Sequence, residues 1–281
     1  MKRKVGIVVD STARLNQNLV DTQKIDVATL KVMIGESEYI DGTFDPHLVE
    51  DALKKHVKVK TSQPSPDMFI KAYENQLSMF DEVICLTLSK SLSGTFNSAT
   101  LAQTILENKN VHVVDSETTI TGLSYLTEKL VEYLEEGHNA KEGLLYLEEL
   151  KAQGSLVFTV DNLSTLHDNG RLSKLQATIG NFLRIKPILR FKQGVLEVEQ
   201  KVRGFQKAFN YLVNEVKGLM LMGQKAVVRI AYVDRSVEAK ELEHALFQLG
   251  DNVDVKVVGV VSPVISAHVG LGGLGIYLGY E

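Results

Sequence analysis

The stretch Glu82–Asp115, "EVICLTLSKSLSGTFNSATLAQTILENKNVHVVD", contains two β-rich runs separated by a helical pattern. In that pattern Ala99, Ala102 and Leu106 recur at i, i+3 and i+7, which gives the helix one apolar face. Short β-rich runs alternate with helical patterns through most of the first half of the chain. Such alternation is typical of strand–helix–strand units around a parallel sheet. The sequence therefore predicts an α/β fold.

The second half of the chain contains another set of strands and helices. "SLVFTV" begins it, and "KPILRFKQGVLEVEQKVRG" predicts two strands joined at Lys-Gln-Gly, because glycine suits a tight turn. A chain of 281 residues can form two lobes, each with its own core. We therefore predict a two-lobed fold, with an N-terminal parallel-sheet domain over residues 1–153 and a C-terminal α/β domain over residues 154–281.

The composition excludes several classes of protein. The net charge is −4 and there is no block of lysine or arginine, so a nucleic-acid-binding surface is not expected. The apolar run near the N-terminus is too short for a signal peptide, and no stretch reaches the roughly 18 residues of a membrane span. The one cysteine, Cys85, lies in a β-rich run and cannot form a disulfide framework. These features predict a cytoplasmic protein.

The sequence also holds a literal G-x-G-x-x-G at Gly270, Gly272 and Gly275. A dinucleotide fingerprint needs a strand before it, a helix after it, and an acidic residue about 20 positions further on. Only six residues follow Gly275, so the context is wrong. We interpret the stretch instead as an apolar, glycine-rich segment that follows a single polar side chain, His268.

No cofactor and no metal are predicted. The phosphate-binding pattern G-x-x-x-x-G-K-S/T does not occur in the chain. His167 and Asp168 have no metal-ligating partners at a recognisable spacing, so we interpret them as part of a loop.

Hydroxyl side chains cluster in "TSQPSP", Thr61–Pro66. The two prolines hold their preceding residues in extended conformations, so Thr61 and Ser62 are presented on a stiff loop. Ser65 and Pro66 are explained as the cap and first residue of a helix.

A second hydroxyl-rich segment, "SLSGT", lies where a strand ends and a helix begins. The first turn of a helix offers free N–H groups that bind anions, Ser93 adds a hydroxyl, and Gly94 allows close approach to the backbone. A simple serine cap is the alternative. His268 is similarly either a ligand contact or a hydrogen-bonded core histidine.

Ser93 and His268, with Asp10 or Asp115, could instead form the triad of an acyl-ester hydrolase. The nucleophile motif G-x-S-x-G is absent around Ser93, which weakens this alternative. A sensor of small carboxylates is a third alternative.

Several motifs in order, "VVDST", "TSQPSP", "SLSGTFNSA", "VDSET", "NGRLSK", "IKPIL", "KVRG" and "SAHVG", resemble the DegV family over essentially the whole chain. The resemblance implies two α/β lobes with one long-chain fatty acid bound between them and no complete catalytic centre. The best-understood members are similar to the fatty-acid-binding subunit of bacterial fatty acid kinase. That subunit presents the acid to a separate ATP-using subunit, which makes acyl-phosphate.

The resemblance also implies roles for individual residues. Thr61, Ser93 and His268 would contact the carboxylate of the fatty acid, with Ser62 and Gly94 beside them. The small residues of "GLGGLG" would let the acyl chain pack against the backbone, so we expect a large side chain at Gly272 to shorten or close the cavity. Arg171 and Arg203 match positions that work with the kinase. The sequence departs from the family after Arg203, where "GFQKA" stands in place of another basic residue. The sequence does not specify the length or unsaturation of the acyl chain.

Overall fold

The computed structural model describes residues 3–161, 163–172 and 185–280. The strands are β1 Val5–Asp10, β2 Asp26–Ala28, β3 Lys31–Ile34, β4 Ser37–Ile40, β5 Val59–Ser62, β6 Glu82–Thr87, β7 Val111–Asp115, β8 Ser155–Thr159, β9 Ile185–Lys192, β10 Val195–Arg203, β11 Ala226–Val233, β12 Val253–Val260 and β13 Gly273–Tyr280. The helices are α1 Gln17–Thr22, α2 His47–Lys54, α3 Pro66–Leu77, α4 Thr95–Leu106, α5 Ile120–Glu135, α6 Ala140–Gln153, α7 Ser164–Asp168, α8 Phe205–Leu221, α9 Ser236–Phe247 and α10 Pro263–Val269.

A parallel sheet of order β2-β1-β6-β7 forms the centre of the N-terminal half, which confirms the fold predicted from the sequence. Helices α3 and α4 pack on one face, where Ala99 and Ala102 are fully buried. Helices α5 and α6 pack on the other face. Because helices cover both faces, the strands are apolar almost throughout rather than alternating.

The second sheet has the order β10-β9-β8-β13-β11-β12. The predicted hairpin is confirmed, because β9 and β10 pair antiparallel around Gln193 and Gly194. Helices α8 and α9 cover one face, and α5 and α6 lie against the other. One apolar cluster therefore runs from Val5 to Tyr277 across both sheets. Strand β8 begins at Ser155, next to the boundary expected between residues 153 and 154. The apolar cluster continues across this boundary, so the division into two domains stays a prediction.

A small antiparallel sheet of order β4-β3-β5 was not foreseen from the sequence. Val32 is fully buried on the face that packs against α2 and α10, whereas Met33 on the other face is exposed. This sheet carries Thr61, which is paired with Val32 in the ladder.

The buried carboxylate of Asp41 joins this small sheet to the rest of the fold. It accepts hydrogen bonds from Ser11 Oγ at 2.7 Å and from the backbone N–H of Val264 at 3.1 Å, in the first turn of α10. Arg14 lies close enough to lower the pKa of Asp41, and it donates to the carbonyl groups of Val260 and Val261 just before α10. Burial is the larger effect, and it raises the pKa of Asp41. The start of α10 is thus held by charge-assisted hydrogen bonds.

The glycine-rich stretch connects the end of α10 to β13, a central strand of the six-stranded sheet that begins at Gly273. Gly272 has a φ of +76°, and a Cβ there would lie 2.2 Å from the carboxyl carbon of Asp161. Gly273 and Gly275 border the main cavity described below, whereas Gly272 is not among its described lining residues. The expectation that a side chain at Gly272 would shorten the cavity is therefore wrong, because such a side chain would meet the carboxylate of Asp161 rather than enter the cavity.

Gly275→Ala should destabilise the protein by about 1–3 kcal/mol, because its Cβ would lie 2.5 Å from Phe158 Cβ and 3.1 Å from the carbonyl oxygen of Val157. Gly218→Ala is the matched control, since nothing lies within 4 Å of a Cβ at that position in α8. It should stabilise by up to about 1 kcal/mol, the difference in helix propensity. Urea unfolding measures both, and equal effects would contradict the close packing of β8 and β13.

A candidate ligand-binding cavity

A cavity of about 270 Å³ lies where the parallel sheet, the small sheet and the six-stranded sheet meet. Its wall is mostly apolar and includes side chains from the loops after β6 and β7, from α10 and from one face of the six-stranded sheet. Its apolar lining residues include Leu30, Leu88, Leu92, Leu156, Phe158, Leu166, Phe191, Leu196, Val233, Val264, Ile265 and Leu274. The size is close to the lower end of the roughly 300–1,000 Å³ of small-molecule sites. The cavity suits a ligand that is mostly apolar.

The polar side chains predicted from the sequence converge on this cavity. Thr61, Ser62, Ser93, His268 and Arg171 all border it. Thr61 Oγ1 lies 2.8 Å from His268 Nε2, so β5 and the last turn of α10 are joined directly at the cavity wall. A hydroxyl and an imidazole together provide the hydrogen-bond donors that an anionic oxygen requires.

His268 is held neutral at pH 7. Its burial, and secondly the positive charge of Arg171, lower its pKa from 6.5 to about 4. Its Nδ1 atom is buried and has no hydrogen-bond partner among the described residues. In the tautomer with a proton on Nε2, the ring donates to Thr61 Oγ1, and the hydroxyl proton of Thr61 is then free to point at a ligand. His268 can therefore orient Thr61 as a donor.

Ser93 lies in the turn between β6 and α4. Its Oγ is 2.9 Å from Thr95 Oγ1 and accepts from the Thr95 N–H at 3.3 Å, so the hydroxyl lies at the start of α4, as a cap would. Gly94 is the N-cap residue of α4 by position. The side chain of Gln63 packs directly against it, since a Cβ at Gly94 would lie 2.1 Å from Gln63 Oε1. Gln63 itself borders the cavity and donates to Ser98 at 2.7 Å. Sequence reasoning missed Gln63, although it lies inside the "TSQPSP" motif.

The two predicted partner arginines lie in different environments. Arg171 borders the cavity and donates through Nε to the carbonyl of Leu92 at 3.2 Å and through Nη1 to that of Asn169. Arg203 is exposed at the end of β10, opposite Ile185 in the ladder, and is not among the described lining residues. Ser173 and Lys174 of the "NGRLSK" motif lie outside the described residues.

The first residues of α5 and the residue before it also reach the cavity and were not selected from the sequence. Thr119, Ile120 and Thr121 border it. Ile120 has a φ of +51°, which is rare for a β-branched residue and costs backbone strain. Its side chain packs against both the large core and the cluster around α10. This contact explains what holds the strained residue in place.

The acids proposed for a hydrolase triad make other contacts. Asp10 is fully buried and accepts from Thr12 and from the backbone N–H of Leu88, and burial raises its pKa to about 6. Asp115 accepts from the backbone N–H groups of Lys90 and Glu117. Both carboxylates hold the loops at the carboxyl ends of the parallel strands. In the described ranges no group of three or more His, Cys, Asp or Glu side chains could hold a metal ion.

Comparisons with known proteins agree with this architecture. The family model described as "Uncharacterised protein, DegV family" matches residues 4–281, and the chain belongs to the DegV family. A DegV domain-containing protein of Staphylococcus aureus is 32% identical over 274 residues, covering 96% of each chain. The structure entitled "Fatty Acid Binding of a DegV family Protein from Thermus thermophilus" superposes with a TM-score of 0.92 at 29% identity, covering 100% of both chains.

A more distant structure shares the same fold. The Fatty Acid Kinase (Fak) B3 protein of Streptococcus pneumoniae, loaded with linoleic acid, superposes with a TM-score of 0.85 at 23% identity, covering 99% of this chain and 100% of that one.

None of the helices in the described ranges has both the length and the hydropathy of a membrane span.

The pKa of His268 predicts how stability depends on pH. Since the folded pKa is about 4 and the ordinary value is 6.5, the unfolded chain binds a proton first as the pH falls. His268 therefore contributes stability above pH 6.5 that is lost progressively toward pH 4. In protein without bound ligand, the melting temperature of His268→Gln should fall less than that of wild type between pH 7 and pH 5. Asp10 acts with the opposite sign but is common to both proteins, and an equal fall would contradict the lowered pKa.

Proposed function

We propose that this protein binds one long-chain fatty acid in the cavity, with the carboxylate at Thr61, Ser93 and His268 and the acyl chain along the apolar wall. The observation that carries the proposal is the single cavity that joins a polar cluster to a long apolar lining. The fatty-acid-binding relative from Thermus thermophilus, with the same fold over its whole length, supports it.

The two ends of the cavity have different energetic roles. Burial of an acyl chain stabilises the complex by about 0.8 kcal/mol per methylene, or roughly 12 kcal/mol for about 15 methylenes before the ordering costs. Each charge-assisted hydrogen bond contributes about 1.5–3 kcal/mol. The chain therefore supplies most of the affinity, and the hydroxyls fix which end of the ligand lies at His268. Arg171 supplies positive charge beside this polar cluster.

Combined replacement of Thr61 and Ser93 by alanine should weaken binding of a long-chain fatty acid about 100-fold or more, because two charge-assisted bonds are lost. Native mass spectrometry of the purified protein, followed by extraction and identification of the bound molecule, gives occupancy and identity together. Titration of delipidated protein with a defined fatty acid gives the affinity.

The matched control replaces Thr22 and Ser78, two exposed hydroxyl residues far from the cavity, by alanine. It should bind like wild type. A fatty acid that bound the double cavity variant and wild type equally would show that the carboxylate lies elsewhere. A co-purified molecule without a carboxylate would overturn the proposed ligand.

We also propose that the bound acid is presented to an ATP-using fatty acid kinase subunit for conversion to acyl-phosphate. The resemblance of the whole motif set to kinase-associated members supports this, and so does the exposure of Arg203. The residues after Arg203, "GFQKA", set this chain apart from those members.

Arg203→Glu should leave fatty acid affinity unchanged and lower the rate of acyl-phosphate formation with the kinase subunit by about tenfold or more, as expected for a charge reversed in an interface. Lys109→Glu is the control, since Lys109 is exposed in the loop between α4 and β7, next to an edge strand of the other sheet. Equal rates of acyl-phosphate formation for the two variants would show that Arg203 does not contribute to the interface with the kinase.

A further inference from the structure

A second, polar cavity of about 40 Å³ lies next to the proposed acyl site. We call it the rear chamber. It is bordered by the loop before α5, the end of α6, the start of β8 and the tip of the β9–β10 hairpin. Its polar lining residues include Ser116, Glu117, Thr118, Lys151, Ser155 and Tyr277. A space of this size holds one or a few small polar groups.

Two apolar side chains separate the chamber from the acyl site. Leu156 and Phe191 border both cavities, and both are largely buried, with exposed fractions of 3% and 8%. They lie on the neighbouring strands β8 and β9. Together they form a partition with an apolar cavity on one side and hydroxyls and an ion pair on the other.

The partition lies away from His268 along the six-stranded sheet. Gly273 at the start of β13 is next to α10, because a Cβ on it would lie 2.9 Å from Val269 Cγ1. Leu156 pairs with Tyr277, four residues further along the same strand. Four residues of antiparallel strand span about 13 Å, so the partition lies on the path of an acyl chain that starts at His268 and follows β13.

The chamber is chemically unsuited to an alkyl chain and suited to a hydroxyl group. Lys151 Nζ lies 3.0 Å from Glu117, and burial raises the pKa of Tyr277, so its phenol stays neutral. The hydroxyl of Thr118 is buried and makes no hydrogen bond within the described part of the chain, and Thr118 is only 7% exposed. An unpaired buried hydroxyl gains a hydrogen bond from a polar ligand group but none from a methyl group.

We propose that Leu156 and Phe191 determine which fatty acids this protein accepts: they limit the acyl site to acids with a plain alkyl end and shield a chamber that would bind a polar end group. The inference rests on the proposed fatty acid binding. Opening the partition should therefore change the preferred ligand from a plain acid to one that carries a hydroxyl at its far end.

The experiment measures the affinity of delipidated protein for a series of saturated fatty acids and for the matching acids with a terminal hydroxyl. Wild type should bind each plain acid more tightly than its hydroxylated partner. In Phe191→Ala the hydroxylated acids should bind about tenfold tighter than they do to wild type, the effect of one good hydrogen bond. Leu156→Ala opens the same partition and replaces Phe191→Ala in the experiment if Phe191→Ala does not fold.

Phe158→Ala is the matched control. Phe158 borders the acyl site but is not among the described residues of the chamber. Its removal should enlarge the cavity without any gain for the hydroxylated acids. Adding Thr118→Val to Phe191→Ala should abolish the gain, because the unpaired hydroxyl is removed with little change of shape.

The outcomes separate the two proposals. Equal gains in Phe158→Ala and Phe191→Ala, or equal binding of plain and hydroxylated acids by wild type, would overturn the role of the partition while leaving fatty acid binding intact. Failure of wild type to bind any plain fatty acid would overturn the proposed function and the partition with it.

Discussion

The position of His268 in the cavity wall depends on the buried carboxylate of Asp41. Asp41 itself is not among the described residues that line the cavity. Asp41 binds the hydroxyl of Ser11 after β1 and the backbone at the start of α10, while Arg14 fixes the carbonyls just before that helix. A buried carboxylate is costly unless it is fully hydrogen-bonded, so its partners must hold one geometry. That geometry places His268, six residues into α10 after Ser262, against Thr61 on the small sheet.

A neutral histidine has a specific advantage at this position. A protonated ring would bind an anion more strongly, but its charge would have to be desolvated next to Arg171 whenever no anion is bound, and that cost is what lowers the pKa of His268. A neutral ring can still donate to Thr61 and so direct the threonine proton toward the cavity. In the proposed function, the polar cluster would recognise a carboxylate through oriented donors, with Arg171 as the nearby positive charge.

The parts of the fold that follow from local pattern could be predicted. Ala99 and Ala102 face the sheet, Ser65 caps α3 with Pro66 in its first turn, and Gln193-Gly194 turns the β9–β10 hairpin. Strand β13 could not be predicted, because its glycines have a low β-propensity and are required by contacts with β8 that are distant in sequence. The convergence of Thr61, Ser93 and His268 on one cavity was predicted only from the resemblance to the DegV family. These residues are far apart in the sequence, and no local spacing indicates that they lie close together in the fold.

Under the proposed function, the two kinds of specificity would be carried by different parts of the fold. The carboxylate would lie at Thr61 on β5, Ser93 in a loop and His268 in the last turn of α10, whereas the acyl wall and its partition would belong to β8, β9 and β13 of one continuous sheet. Sheet registers are fixed by many cooperative contacts, so the depth of the cavity is rigid. If the proposed function holds, a change at Phe191 should alter the accepted chain without moving His268, so that the head group and the tail would be selected independently.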